Sequence, residues 1–236
     1  MDDVDFRDTV DHWLTREAAT LILQPTSLCP LACTYCYLPE RHLKQEMSPA
    51  IARAVAGAIP SSWPSTGVLE VVWHGGEPLA IGRTRLVEFL EPFEPLRIAG
   101  RVQHKVQTGA TLITNEWCDL FERYGIGVGV SIDGPRSVNR HRIDRGGRPM
   151  FDRIVAGIET LQRRGLPFTV LAVVGQDSTG DAEEILTFLA GLGCTWVGFN
   201  VEAREAANVD GETPVMEEVR RFWRDVFAWA SRNPGM

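Results

Sequence analysis

The chain lacks a long apolar run. Although 44% of its 236 residues are apolar, no stretch reaches the roughly 20 residues of a membrane span. It also lacks a basic excess: 24 Lys and Arg against 31 Asp and Glu leave a formal charge of −7. General binding to nucleic acid or to an anionic membrane wants a basic face, so neither is expected as a partner. The acidic start, Met1-Asp-Asp-Val-Asp-Phe-Arg-Asp8, has neither the basic region nor the apolar core of a secretory signal. A cytoplasmic location is therefore expected. Cysteine is scarce, five in all with none after Cys194, and three of the five crowd into eight residues. An odd, clustered set makes no disulfide framework. Nothing in the composition suggests disorder, and the apolar fraction suffices for a sizeable core.

The crowded cysteines form Cys29-Pro-Leu-Ala-Cys33-Thr-Tyr-Cys36, directly after an apolar run at 20–24 that reads as a buried strand. Catalytic barrels place their chemistry on loops at strand ends. Three thiolates on so short a loop can ligate three irons of a cubane cluster and leave the fourth iron open to a small molecule. A closed four-ligand set would instead serve electron transfer or structure. On residue types alone a zinc site completed by His42 or a more distant residue is a second reading.

The rest of the chain alternates strand and helix. Ser48-Pro49 caps and opens a first helix with Ile51, Ala54, Val55 and Ala58 on its apolar stripe. A second strand at 68–73 runs into His74-Gly75-Gly76-Glu77-Pro78, and a helix is predicted over 84–96. A third strand, 102–107, ends at Gln107. Thr114 or Asn115 caps a helix whose Trp117, Leu120, Phe121 and Tyr124 share a face, with Cys118 as a small buried residue. The fourth strand, 127–132, leads into Asp133-Gly-Pro135, read as turn chemistry, and on to Arg142. A helix over 151–164 stops at Gly165. The fifth strand, 168–174, is so apolar that burial on both faces is expected. Asp181 caps the next helix, the sixth strand covers 195–200, and Thr213-Pro214 starts the last helix.

Six uninterrupted strand–helix units predict an α/β fold, a partial (β/α)6 barrel of parallel strands, with residues 1–18 as an arm or short helix and 19–236 as the core domain. The polar strand ends then gather on one face. There Glu77 can accept from an ammonium, while Ser131 and Arg142 suit a carboxylate.

The cysteine spacing, with Tyr35 before its last member, resembles the signature of radical S-adenosylmethionine (SAM) enzymes. Gly75, Gly76, Glu77 and Pro78 match their "GGEP" motif in all four residues. The resemblance implies that Cys29, Cys33 and Cys36 hold a [4Fe-4S] cluster. It also implies that Tyr35, Gly75, Gly76, Glu77, Pro78, Gln107, Ser131 and Arg142 seat SAM, whose reductive cleavage yields a 5′-deoxyadenosyl radical that takes hydrogen from a substrate. Leu23-Gln-Pro25, Cys36-Tyr-Leu-Pro39, 72–78, 128–135 and Val197-Gly-Phe-Asn-Val-Glu202 bring the chain nearest to SPASM-type peptide maturases, especially those of glycine-rich repeat peptides described as forming cyclophane crosslinks. From this follow a ribosomally made precursor peptide as substrate, an external electron donor such as flavodoxin or ferredoxin, and His74, Asn200 and Glu202 as substrate-side catalytic candidates. A formylglycine-type sulfatase maturase is the rival activity, and a core that needs a partner chain is another reading. Two departures stand out. Gly109 occupies the place of an expected asparagine, and the cysteine-rich SPASM domain is absent, implying a naturally short form or a piece of a longer chain. No peptide-recognition domain precedes residue 20, so the leader is expected to bind a separate protein or the fold's own surface.

Overall fold

In the computed structural model, residues 18–64 and 67–234 are described; the predicted arm at 1–17 lies outside them. Six strands form one sheet: β1 (Thr20–Leu23), β2 (Leu69–Trp73), β3 (Val102–Thr108), β4 (Gly127–Ser131), β5 (Phe168–Val174) and β6 (Val197–Val201). They lie in chain order and every neighbouring pair is parallel, so the sheet curls into a half-barrel with β1 and β6 at its two edges. Among the described residues no helix is long and apolar enough to cross a membrane.

Among the described residues six helices link the strands, α1 (Pro49–Ala58), α2 (Arg83–Leu90), α3 (Glu94–Ile98), α4 (Asn115–Tyr124), α5 (Phe151–Arg163) and α6 (Ala182–Gly191), and a seventh, α7 (Met216–Arg232), follows β6. Local chemistry sets some of their ends. Ser48 Oγ accepts from Ala50 N at 3.2 Å, and Pro49 opens α1 where its missing N–H costs nothing. Gly165, at φ +67°, lets the chain leave α5, with Leu166 N donating to Leu161 O at 2.9–3.0 Å alongside Gly165 N to Gln162 O.

Several expectations need correction. The helix predicted over 84–96 is broken into α2, a 3-10 turn at Glu91–Phe93 and α3, because Pro92 and Pro95 lack the N–H groups a continuous helix needs. Asp181 and Thr114 stand at N-cap positions, but neither side chain caps its helix; Thr114 Oγ1 instead donates to Glu116 Oε2 at 2.6 Å. The last helix starts at Met216, after Val215 in extended conformation. β5 is not buried on both faces. Phe168, Val170, Ala172 and Val174 lie under the helices, whereas Leu171 and Val173 are half-buried and face the open concavity.

Behind β2 and β3 the core is aromatic: Trp73, Phe89 and Phe93 are fully buried around His104, which is 1% exposed. Trp73 Nε1 donates to His104 Nδ1 at 3.3 Å, which leaves the proton on Nε2, and Nε2 has no partner. Burial is the main reason that the His104 pKa falls to about 4, with Glu94 opposing and Arg97 adding to the fall. The unfolded chain takes up this proton near the ordinary value of 6.5, so stability is complete above that pH and is lost as pH falls toward 4, by about 3 kcal/mol from this residue. Urea unfolding of wild type and His104→Gln at pH 7 and pH 4.5 checks this. The variant should show a visibly shallower pH dependence, and parallel curves would remove His104 as its cause.

Candidate active site

The C-terminal ends of the strands surround a cavity of about 450 Å³. Cys29, Cys33, Cys36, Tyr35, His74, Gly75, Gly76, Glu77, Gln107, Ser131, Arg142, Asn200 and Glu202 all line it; of the sequence-predicted residues Pro78 alone does not. Pro78 is buried and opens the 3-10 turn Pro78–Ile81.

Close backbone packing brings these residues together. Gly76, at φ +61°, lies so near the segment preceding Cys29 that a Cβ would sit 2.4 Å from Thr26 O. Only glycine fits there, and the β2 loop is pressed against the β1 loop as a result. Glu77 N then donates to Leu28 O at 2.8 Å. The Glu77 carboxylate, 1% exposed, accepts from Leu79 N at 3.1 Å, Thr108 Oγ1 at 2.7 Å and Gly109 N at 2.8 Å. Burial raises its pKa and these three bonds oppose the rise. Of about four lone-pair sites on a carboxylate, one is left for a ligand. At Gly109 the expected asparagine would need the buried Leu31 side chain to shift, since a Cβ would lie 2.8 Å from Leu31 Cδ1.

Gln107 Nε2 donates to Ser131 Oγ at 2.9 Å. The contact depends on Gly129, where a Cβ would meet Gln107 Oε1 at 2.2 Å. Neither this glycine's role nor that of Asp133 was legible as function. Asp133, read as turn chemistry, is instead a buried hub: it accepts from Arg142 Nε at 3.0 Å and Nη2 at 2.8 Å, from Tyr35 OH at 2.6 Å and from Val173 N at 2.9 Å. Its own N–H donates to Asn139 Oδ1 at 3.0 Å. Arg142 is 6% exposed. Burial opposes its charge, but the adjacent Asp133, with Tyr35 and Cys33, prevails and holds its pKa above the ordinary guanidinium value. Burial likewise pushes the Tyr35 phenol well up, with Arg142 opposing.

Burial, reinforced by Glu77, raises the Cys29 thiol to about 12, and burial raises Cys33 against the pull of Arg142. Such thiols are protonated at neutral pH, and a bound metal would displace their protons to solvent. Among the described residues no three His, Cys, Asp or Glu side chains converge as around a single ion. The cysteines surround a cavity instead, and His42 is exposed, which speaks against the zinc reading. His74 has its pKa lowered by burial. Glu202 Oε1 accepts from Asn208 Nδ2 at 3.2 Å.

The radical SAM superfamily model matches residues 23–189. The chain belongs to the radical SAM superfamily. Members of this superfamily bind a [4Fe-4S] cluster and SAM. An uncharacterized protein of Synechocystis sp. is 34% identical over 220 residues, 86% of this chain and 54% of its own length. The serine-type anaerobic sulfatase-maturating enzyme of Klebsiella aerogenes is 30% identical over 76% of this chain and 45% of its own. The chain thus spans about half the length of the curated relatives it matches. In fold it is similar to native anSMEcpe with bound AdoMet (TM-score 0.78, 20% identity, 91% of this chain and 60% of that one). It also resembles Streptococcus suis SuiB bound to precursor peptide SuiA (TM-score 0.71, 16% identity, 96% and 49%).

Removal of the hub should unfold this radical SAM core from within the site. Asp133→Ala leaves the Arg142 guanidinium buried without its carboxylate, and chemical denaturation should show a loss of about 3–5 kcal/mol. A loss below about 1 kcal/mol would mean that water reaches Arg142 freely.

Proposed function

We propose that this radical SAM enzyme takes hydrogen from a side chain of a ribosomally made peptide, leading to a carbon–carbon crosslink or a related modification. The observation that carries the reading is the single cavity that unites the three cysteines, the Gly75-Gly76-Glu77 turn, Gln107, Ser131 and Arg142. The donor set fits the cofactors: three free thiols ring one cavity, and Gly76 brings its turn into backbone contact with their loop. Cys29, Cys33 and Cys36 would hold the [4Fe-4S] cluster. Given an electron by a flavodoxin or ferredoxin, the bound cluster would supply the reductive cleavage of SAM and with it the hydrogen-abstracting power.

The chain's own residues bind and orient. Glu77 has one acceptor site left for the SAM ammonium. Asp133 takes Nε and Nη2 of Arg142 and leaves Nη1, which together with Ser131 would be available to the SAM carboxylate. Tyr35 and Pro78 brace this half of the site. Leu171, Val173 and Phe199 make the opposite wall apolar, and His74, Asn200 and Glu202 line the same cavity, where we assign them to the peptide side chain. The neutral His74 imidazole is available to accept a proton as the peptide is oxidised. The similarity to sulfatase-maturating enzymes supports a second reading, formylglycine formation.

Anaerobic reconstitution with iron and sulfide, then reduction with SAM, tests the proposal. The expected result is about four irons per chain and 5′-deoxyadenosine formation, both lost in Cys33→Ala. A glycine-rich repeat peptide should lose two hydrogens per crosslink without reacting with an aldehyde probe. Aldehyde on a sulfatase-derived peptide would establish the second reading, and iron without SAM cleavage would overturn both.

A further inference from the structure

One residue outside the cavity touches the backbone of all three cysteines. Arg41 O accepts from Cys29 N at 2.9 Å. Arg41 Nη2 donates to Cys33 O at 3.3 Å, and its Nη1 donates to Cys36 O at 3.1 Å. A second guanidinium closes the pattern: Arg145 Nη2 donates to Cys29 O at 2.9 Å and to Arg41 O at 3.2 Å. Every one of the three cysteine carbonyls therefore accepts from an arginine. Neither Arg41 nor Arg145 lines the cavity, and among the described residues neither is ion-paired to a carboxylate. Arg41 is half-buried and its Nη1 also donates to Leu38 O at 3.5 Å, while Arg145 approaches from the exposed surface. The chain enters this position through Glu40 at φ +51°, a left-handed conformation that non-glycine residues rarely adopt. Surrounding contacts maintain such strain where a geometry is needed.

We infer that Arg41, seconded by Arg145, is the positioning residue of the cysteine loop, fixing the backbone of all three ligand cysteines from outside the cavity and raising the reduction potential of the cluster they hold. The inference rests on the assignment of those cysteines as cluster ligands. Geometry and charge both act on the loop. A planar fork reaching two carbonyls at once, while its own carbonyl holds the first cysteine, fixes ligand spacing in a way a flexible ammonium cannot. Thiolates and a reduced cluster bring added negative charge, and guanidinium groups behind the loop favour the more negative, reduced state.

The experiment compares reconstituted wild type, Arg41→Gln, Arg41→Lys and Arg145→Gln without peptide, with far-UV circular dichroism confirming the fold. Iron release to a chelator and the cluster potential from an EPR-monitored titration are the readouts. Arg41→Gln should lose iron about ten-fold faster and titrate at a more negative potential. Arg41→Lys should keep a potential nearer wild type yet recover only part of the iron retention. Arg145→Gln should shift both readouts in the same direction by less. A folded Arg41→Gln with wild-type iron retention and potential overturns the inference. If that variant does not fold, Arg145→Gln decides on the same two readouts. A wild-type chain that takes up no iron would overturn the ligand assignment itself, an outcome distinct from failure of the arginine role.

Discussion

The geometry of the site depends on one buried carboxylate. Glu77 follows β2, receives hydrogen bonds from the end of β3 and, through its own N–H, binds the loop that follows β1. A half-barrel has no closing seam, so nothing in the sheet itself fixes where its loops sit relative to one another. Burying a carboxylate is costly unless donors surround it, and here three donors do. That cost enforces the arrangement: if any one strand end moves away, a desolvated oxygen is left unpaired. The same condition explains Gly76. The carboxylate reaches its donors only if the β2 loop lies against Thr26, and at 2.4 Å from the Thr26 carbonyl only a residue without a Cβ can lie there.

A second buried carboxylate repeats this solution on the other side of the site. Asp133 joins the end of β4 to β5 through Val173, to the cysteine loop through Tyr35 and to the segment carrying Arg142. Loop and segment are also paired directly: Ala32 N donates to Ile143 O at 2.7 Å and Thr34 N to His141 O at 3.1 Å. The cysteine loop is therefore held from two directions, by the Glu77 backbone N–H just before Cys29 and by the Asp133 carboxylate on the other flank, and Tyr35, whose position follows from the cysteine spacing, supplies the link to the second.

Much of this was legible. The strand–helix alternation specified the sheet order, since short right-handed crossovers between consecutive parallel strands leave few alternatives. The cysteine spacing and the Gly-Gly-Glu-Pro phrase identified the residues that line the cavity because they carry chemistry in a fixed local pattern. What stayed illegible depended on partners distant in sequence. Asp133 sits in an Asp-Gly-Pro turn, where turn propensity explains the residue fully, and only a partner nine residues on shows otherwise. Gly129 looks like one more small strand residue until Gln107 is seen lying across it. Arg41 is an arginine in a polar loop, with nothing in its neighbours to single it out. The break at Pro92 and Pro95 was readable from proline chemistry, but the apolar periodicity on either side masked it.

The two halves of the cavity differ in how firmly they are held. From β1 to β4, Glu77, Gln107, Ser131, Tyr35 and Arg142 are each tied to a named partner, mostly across strands. On the β5–β6 side the lining is Leu171, Val173 and Phe199, with Asn200 exposed and the Glu202 side chain accepting from Asn208. β6 is also an edge strand, so the cavity meets solvent beside it. A preorganised half suits a cofactor whose shape never varies, because its binding groups then lose little entropy on contact. An apolar, loosely held half beside an open edge suits an extended chain whose side chains vary from site to site. Under the proposed assignment, the fold spends its hydrogen bonds on the invariant ligand and leaves the substrate wall free to adapt.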